Sequence, residues 1–325
     1  MNPREEELIR QWQASEAAEV RLRLITAGHA QDHLFNTFCE DLIRLAPRIQ
    51  LEREGNEIQG IPGIRIGERI TYQALPLGPE LVPFLSALGP EKPAADLSLE
   101  LRSALDRLSL PVFLKLFITS HCPHCPAAVE RMISIAGSCD RVRLAVIDGA
   151  LFPELTMVDG VQSAPTLVFD RFRWSGSIPV PEVVRVMADR NPADLGADTL
   201  QSILQAGGAS RVAAMLREAR SIFPAFLTLL THSRWTVRLG AMVVMEELIE
   251  TDRQLARRAA ELLQERFSDL EETVRGDMMY LIGELGDPEF LPFLERIHAG
   301  IRNRDAAAAA VEAINAIRSK AGGLT

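Results

Sequence analysis

The sequence predicts an α/β protein that ends in an all-α region: two consecutive β-α-β-β-β-α units, then stacked pairs of helices. Three observations carry that prediction. Strand-length apolar segments recur up to about residue 175 and vanish beyond it. The order of strand and helix patterns in residues 1–94 returns in residues 95–191. From residue 192 onward Ala, Leu, Glu and Arg dominate at helical spacing, and one unit recurs after 37 residues.

In the first unit, residues 1–19 are expected to form an N-terminal helix and Val20 to Thr26 a strand. Gln31 to Leu45 carries apolar residues at helical spacing (Leu34, Phe38, Leu42, Leu45). Ile49-Gln50-Leu51 is a short strand, Gly63 to Ile66 and Arg69 to Gln73 form a hairpin around Gly67, and Pro79 to Leu88 is a closing helix. The second unit begins with a helix, Leu97 to Leu108. The nearly unbroken apolar run Val112 to Ile118 follows, as expected of a central strand covered on both faces. Next come a helix over Ala127 to Ala136, a strand over Val142 to Ile147 and a short helix near Phe152 to Met157. Strands at Thr166 to Phe169 and Phe172 to Trp174 and a helix from Pro181 to Ala188 complete the unit. It repeats the first unit with one more helix.

In the third region, Val237-Arg238-Leu239-Gly240-Ala241-Met242 recurs in type as Val274-Arg275-Gly276-Asp277-Met278-Met279, and Glu246-Glu247-Leu248 answers Gly283-Glu284-Leu285. A looser third copy pairs a helix starting at Asp287-Pro288-Glu289 with one over Asp305 to Ile317. Helix pairs of ~35–45 residues predict a solenoid, each pair burying its apolar face on the next.

A length of 325 residues fits about two or three domains. The net charge of −9, with no basic cluster interleaved with aromatics, sets nucleic acid aside. No apolar run approaches the ~18–20 residues that cross a bilayer, so no membrane partner is expected. The acidic start Met1-Asn2-Pro3-Arg4-Glu5-Glu6-Glu7 does not read as a secretory signal, which makes the reducing cytoplasm the expected compartment. Four cysteines are too few for a disulfide scaffold, so a close pair is catalytic or metal-binding.

That pair is Cys122-Pro123-His124-Cys125, at a strand-to-helix junction. Cys122 is expected at the helix N-terminus, where unpaired N–H groups and the macrodipole stabilise a thiolate and lower its pKa from ~8.5. Cys125, one turn on, can resolve a mixed disulfide. His124 can donate a hydrogen bond or positive charge to that thiolate and raise the potential. Pro123 and Pro126 suit a first helical turn. The competing reading, half of a zinc knuckle, needs two more Cys or His ligands at matching spacing, and Cys39 and Cys139 stand alone. No metal and no cofactor is expected. A second support is Ser163-Ala164-Pro165-Thr166. A cis Pro165 would face the Cys pair and expose the Ala164 backbone to a substrate strand; alone, an ordinary trans proline would be the simpler reading. Cys39, in phase with Phe35, Phe38 and Leu42, reads as a core thiol.

These residues resemble a known family. His121-Cys122-Pro123-His124-Cys125-Pro126, Val146-Ile147-Asp148-Gly149, Phe152 and Gly160-Val161-Gln162-Ser163-Ala164-Pro165 are similar to the catalytic half of a tandem thioredoxin-fold unit. That unit forms the N-terminal domain of the alkyl hydroperoxide reductase flavoprotein, and archaeal protein disulfide oxidoreductases are built similarly. Ala74-Leu75-Pro76-Leu77-Gly78-Pro79-Glu80 resembles the Pro-x-Gly-x-Glu stretch of the first half. The resemblance covers about Val20 to Asp189. It implies two tandem thioredoxin-like folds, the first without a Cys pair, and electron transfer by dithiol–disulfide exchange with a protein client, a peroxiredoxin in the flavoprotein's case. The flavin and nicotinamide domains are absent, so the donor is expected to be a separate flavoprotein or thioredoxin-reductase-type protein. Thioredoxins carry a buried acid in the strand before the motif. This chain has Leu116 there, with Lys115 beside it, either acting on the resolving thiol or standing solvated at an edge. The helical tail resembles HEAT-like repeats through Gly283-Glu284-Leu285-Gly286-Asp287-Pro288-Glu289, which implies either a docking surface or a stabilising appendage.

The sequence therefore predicts a thiol–disulfide oxidoreductase in three domains, 1–94, 95–191 and 192–325. Cys122 attacks, Cys125 resolves, Pro123 and His124 tune the pair, and Ala164, Pro165 and Thr166 bind substrate. The alternative is a redox-switched adaptor whose repeats bind a partner.

Overall fold

The computed structural model describes residues 1–15, 19–55, 60–89, 97–300 and 303–322. The expected boundary between residues 94 and 95, and residues 16–18 of the expected N-terminal helix, lie outside these. The chain divides into two compact units, Met1–Arg190 and Asn191–Thr325.

The first unit opens with helix α1 (Pro3–Ser15), which a reciprocal cap defines. Asn2 Oδ1 accepts from the N–H of Arg4 and of Glu5, and the Glu5 carboxylate accepts from Asn2 N. Strand β1 (Val20–Thr26) leads into α2 (Asp32–Leu45), whose buried side Phe35, Phe38, Cys39, Leu42 and Leu45 follows the helical period. β2 (Ile49–Gly55) returns parallel to β1, and β3 (Gly63–Ile66) pairs antiparallel with β1 and with β4 (Ile70–Gln73). Gly67, at φ +56°, turns that hairpin. A 3₁₀ turn (Gly78–Glu80) and α3 (Leu81–Leu88) close the half.

The second half repeats the order. α4 (Leu99–Asp106), capped by the Ser98 side chain on Leu101 N, precedes β5 (Val112–Ile118) and α5 (Cys125–Ser138). β6 (Val142–Asp148) runs parallel to β5, α6 (Pro153–Val158) follows, and β7 (Thr166–Phe169), β8 (Phe172–Ser175) and α7 (Val180–Ala188) finish. The first half has no counterpart of α6 among its described residues.

One eight-stranded mixed sheet joins the halves in the order β2-β1-β3-β4-β6-β5-β7-β8, with β4 parallel to β6 at the seam. One continuous core runs from Ile9 in α1 to Met187 in α7. Arg190 ends this unit in a buried ion pair with Asp170 at 2.8 Å and also donates to the carbonyls of Leu110 and Pro111.

Among its described residues the second unit contains no strand. Its helices are α8 (Ala197–Gln205), α9 (Ala209–Ala219), α10 (Pro224–Leu230), α11 (Trp235–Thr251), α12 (Arg253–Arg266), α13 (Glu272–Leu285), α14 (Leu291–Gly300) and α15 (Arg304–Gly322). The odd-numbered helices α9, α11, α13 and α15 pack in succession. The recurrence at 37 residues is a recurrence of buried positions: Val237, Ala241, Met242, Met245 and Leu248 in α11 answer Val274, Met278, Met279, Ile282 and Leu285 in α13. Arg238 crosses from one copy to the next, its guanidinium 2.6 Å from Asp277. No helix among the described residues is long and apolar enough to cross a membrane.

Candidate active site

Strand β5 delivers the site. It is held by β6 on one side and β7 on the other, which fixes where its C-terminal end points. Beyond it, Cys122 N donates to Thr119 O at 3.1 Å, closing a tight turn. α5 begins at Cys125, with His124 in the N-cap position and Pro126 in the first turn, where proline has no hydrogen bond to lose. The helix starts two residues ahead of the expected Ala127. Cys122 therefore lies before the helix, and Cys125 is its first residue. Pro123 and His124 are exposed.

The two thiols are free and unequal. Cys122 is half-buried, whereas Cys125 is fully buried. Burial, and then the hydrogen bond it shares with Cys122, pushes the Cys125 thiol up to about 12, while a backbone hydrogen bond from Thr119 pulls the other way. An accessible, attackable sulfur thus stands beside one that gives up its proton reluctantly.

Facing Cys122 is the loop that enters β7. The Cys122 thiol donates to Ala164 O at 3.6 Å, and the Ala164–Pro165 peptide is cis. Thr166 is fully buried; its hydroxyl donates to Ser163 O at 2.7 Å and meets Ser175 Oγ at 2.8 Å, so it is committed within the loop. The structure thus brings Cys122, Cys125, Ala164 and Pro165 to one place, with Thr166 behind them.

Lys115 pairs with Asp159 at 3.4 Å and is half-buried, on the interior strand β5 and not at a sheet edge. A buried carboxyl acts on the pair from the first half. Glu80, in the 3₁₀ turn packed on α5, is 3% exposed, and neither carboxylate oxygen has a hydrogen-bond partner among the described residues. Burial, and then the charges of Asp148 and Glu130, push its carboxyl up to about 7. Its charge also acts on Cys125. The Tyr72 hydroxyl is likewise buried without a partner; burial, and then the Glu80 charge, raise its pKa well above the usual phenol range. In the sequence Glu80 stands within a stretch of family resemblance, with nothing to mark a role for it. The missing acid at position 116 was the signal to look elsewhere.

The corresponding loop of the first half holds no thiol. Asp32 begins α2 as Cys125 begins α5, and its carboxylate accepts from Ala27 N and Gly28 N at 3.2 and 2.9 Å. Cys39 lies inside α2, fully buried, its thiol pushed up to about 12 by burial. Cys139 donates to Leu105 O at 3.5 Å. Among the described residues no three His, Cys, Asp or Glu side chains gather as a metal-ligand set.

Fold and site together define a mixed-sheet α/β protein that holds an uneven, free dithiol. No family model matches the sequence, and no curated protein matches it. Solved structures similar to it over 57% of the chain include the alkylhydroperoxide reductase AhpF of Enterococcus faecalis, at 20% identity over 99% of that chain with a TM-score of 0.48. The N-terminal domain of the same protein gives 20% over 99% with 0.47. A protein disulfide oxidoreductase of Aeropyrum pernix gives 15% over 92% with 0.49.

Proposed function

We propose that this chain is a protein dithiol–disulfide oxidoreductase working by thiol–disulfide exchange at Cys122 and Cys125. The observation that carries the reading is the asymmetry of the pair: a half-buried Cys122 against the Ala164 carbonyl, and a buried Cys125 acted on by Glu80, an acid with no hydrogen-bond partner among the described residues. The Cys122 thiolate attacks one sulfur of a client disulfide, forming a mixed disulfide and releasing the first client thiolate. Glu80 accepts the Cys125 proton, and the Cys125 thiolate attacks Cys122 Sγ. The second client thiolate leaves, and a Cys122–Cys125 disulfide remains. Two electrons have passed to the client, and a separate dithiol donor, a flavoprotein or a thioredoxin-reductase-type protein, restores the pair. The protein itself needs no cofactor.

Ala164 and Pro165 offer the backbone edge on which a client strand lies, with Thr166 bracing the loop. Pro123 shapes the motif turn, and His124 beside it tunes the potential of the pair. The two halves are tandem thioredoxin-like folds. The helical unit is a HEAT-like array that docks the client, a peroxiredoxin being the chemical type, in the cytoplasm. The test is reduction of insulin disulfides with dithiol as donor: Cys122→Ser abolishes it, and activity that survives the change refutes the proposal. A second reading is favoured by the exposed apolar side chains Trp235, Leu239 and Val243 along α11. In it the repeats are an adaptor and the Cys pair only switches binding. Capture with Cys125→Ser separates the two: several disulfide-linked clients mark the enzyme, one partner held regardless of redox state the adaptor.

A further inference from the structure

We propose that Glu5, on helix α1, is a positioning residue for the redox site, because its carboxylate clamps the turn that carries Glu80. The inference rests on the reading of Glu80 as proton acceptor for Cys125. Glu5 is one of the few buried charged side chains, 7% exposed. Its Oε2 accepts from Asn2 N at 2.7 Å, and Asn2 Oδ1 accepts from Glu5 N at 3.0 Å, the reciprocal cap that starts α1. Capping uses only one carboxylate oxygen. The other, Oε1, accepts from Gly78 N at 2.8 Å, from a residue 73 positions away.

Gly78 stands at φ +58° and is the first residue of the 3₁₀ turn that ends at Glu80. Three bonds set that turn: Glu5 on Gly78 N, Leu77 O accepting from Glu80 N at 3.2 Å, and Gly78 O accepting from Leu81 N; of these only the Glu5 bond ties it to another element. The turn has work to do. The charged and titratable groups that face Glu80 are Cys125 and Glu130 of α5, Asp148 of β6 and Tyr72 of β4, and none of them is a cation. Among the described residues no hydrogen bond or opposite charge draws the Glu80 carboxyl to its place, which leaves its backbone and packing to set it. Freed from Glu5, the turn can swing that carboxyl toward water, away from Cys125.

The test reads the resolving step with dithionitrobenzoate, in a Cys139→Ser background that silences the other half-buried thiol. Attack by Cys122 releases one yellow thiolate, and closure by Cys125 releases the second, so the second release rate against pH reports the acceptor. The parent protein should show an inflection near the Glu80 carboxyl's value of about 7, and Glu80→Gln should remove it. Glu5→Asp keeps the charge and the Asn2 side-chain half of the cap but draws the carboxylate one methylene back from Gly78 N. It should move the inflection down by about one pH unit or more, as solvation restores an ordinary carboxyl. Glu5→Gln offers one acceptor oxygen to the two N–H donors of Asn2 and Gly78, so it should shift the profile in the same direction as Glu5→Asp but by less. If Glu5→Asp keeps the parent profile while Glu80→Gln changes it, the clamp is overturned and the acid assignment stands. If Glu5→Gln shifts the profile further than Glu5→Asp does, the charge acts and not the bond, and the clamp is overturned. If Glu80→Gln retains the inflection, the acid assignment itself fails, and the clamp with it.

Discussion

At the scale of single residues the site works by unequal burial. Iodoacetamide at pH 7 should label Cys122 while Cys125 and Cys39, both pushed up to about 12, stay protected; peptide mapping reads the outcome. Glu80 carries a pH signature in stability. Its carboxyl titrates near 4.5 in the unfolded chain and near 7 in the native protein, so between those values the native state holds a proton that the unfolded state has released. Stability then falls as pH rises through that window, by up to about 3 kcal/mol, and the loss is complete above it. Glu80→Gln cannot ionise. Urea unfolding should show it gaining roughly 2–3 kcal/mol on the parent between pH 4 and pH 8; a constant difference across that range would contradict the buried acid. The Cys pair was legible because its chemistry sits within four consecutive residues. Glu80 was not, because its partner Cys125 is met only after the halves of the sheet have come together.

At the scale of elements, hydrophobic periodicity located the helices and strands of residues 1–190 with misplacements at their ends, while α8, α9, α10 and α12 of the helical unit received no bounds from it. α5 starts at Cys125 because a proline in the first turn is already set for helix, which propensity over Ala127 to Ala136 does not register. In the helical unit the repeat was legible as a recurrence of apolar positions, but the link between copies was not. Arg238 and Asp277 read as ordinary charged residues, yet Arg238 is 3% exposed and pairs with Asp277 at 2.6 Å. Asp277→Ala should cost about 3–5 kcal/mol in urea unfolding, since it strands a buried guanidinium. Arg238→Met should cost less, because it removes the charge along with the need for its partner.

At the scale of the whole molecule, the duplicated order of elements could be read from the chain, but the continuous sheet could not. The β4–β6 seam joins residues such as Tyr72 and Val146 by register, and a strand edge carries no local mark of its partner. The seam makes the two halves one cooperative body, in which a first-half acid can serve a second-half thiol. Phe38, 4% exposed and edge-on to Phe84, belongs to the first half. Phe38→Ala should cost about 3–5 kcal/mol. Hydrogen exchange should show the amides of β6 losing protection together with those of β1, whereas loss confined to β1 and β2 would mark two independent halves.

The central claim is that Cys122 attacks and Cys125 resolves. It is tested most directly by reacting reduced Cys125→Ser with a disulfide-bonded peptide and mapping the product by mass spectrometry. The account predicts a stable one-to-one mixed disulfide at Cys122, and, in the unaltered protein under the same conditions, a Cys122–Cys125 disulfide with two free peptide thiols. A mixed disulfide on Cys39 or Cys139, or no disulfide between Cys122 and Cys125 in the unaltered protein, would contradict it.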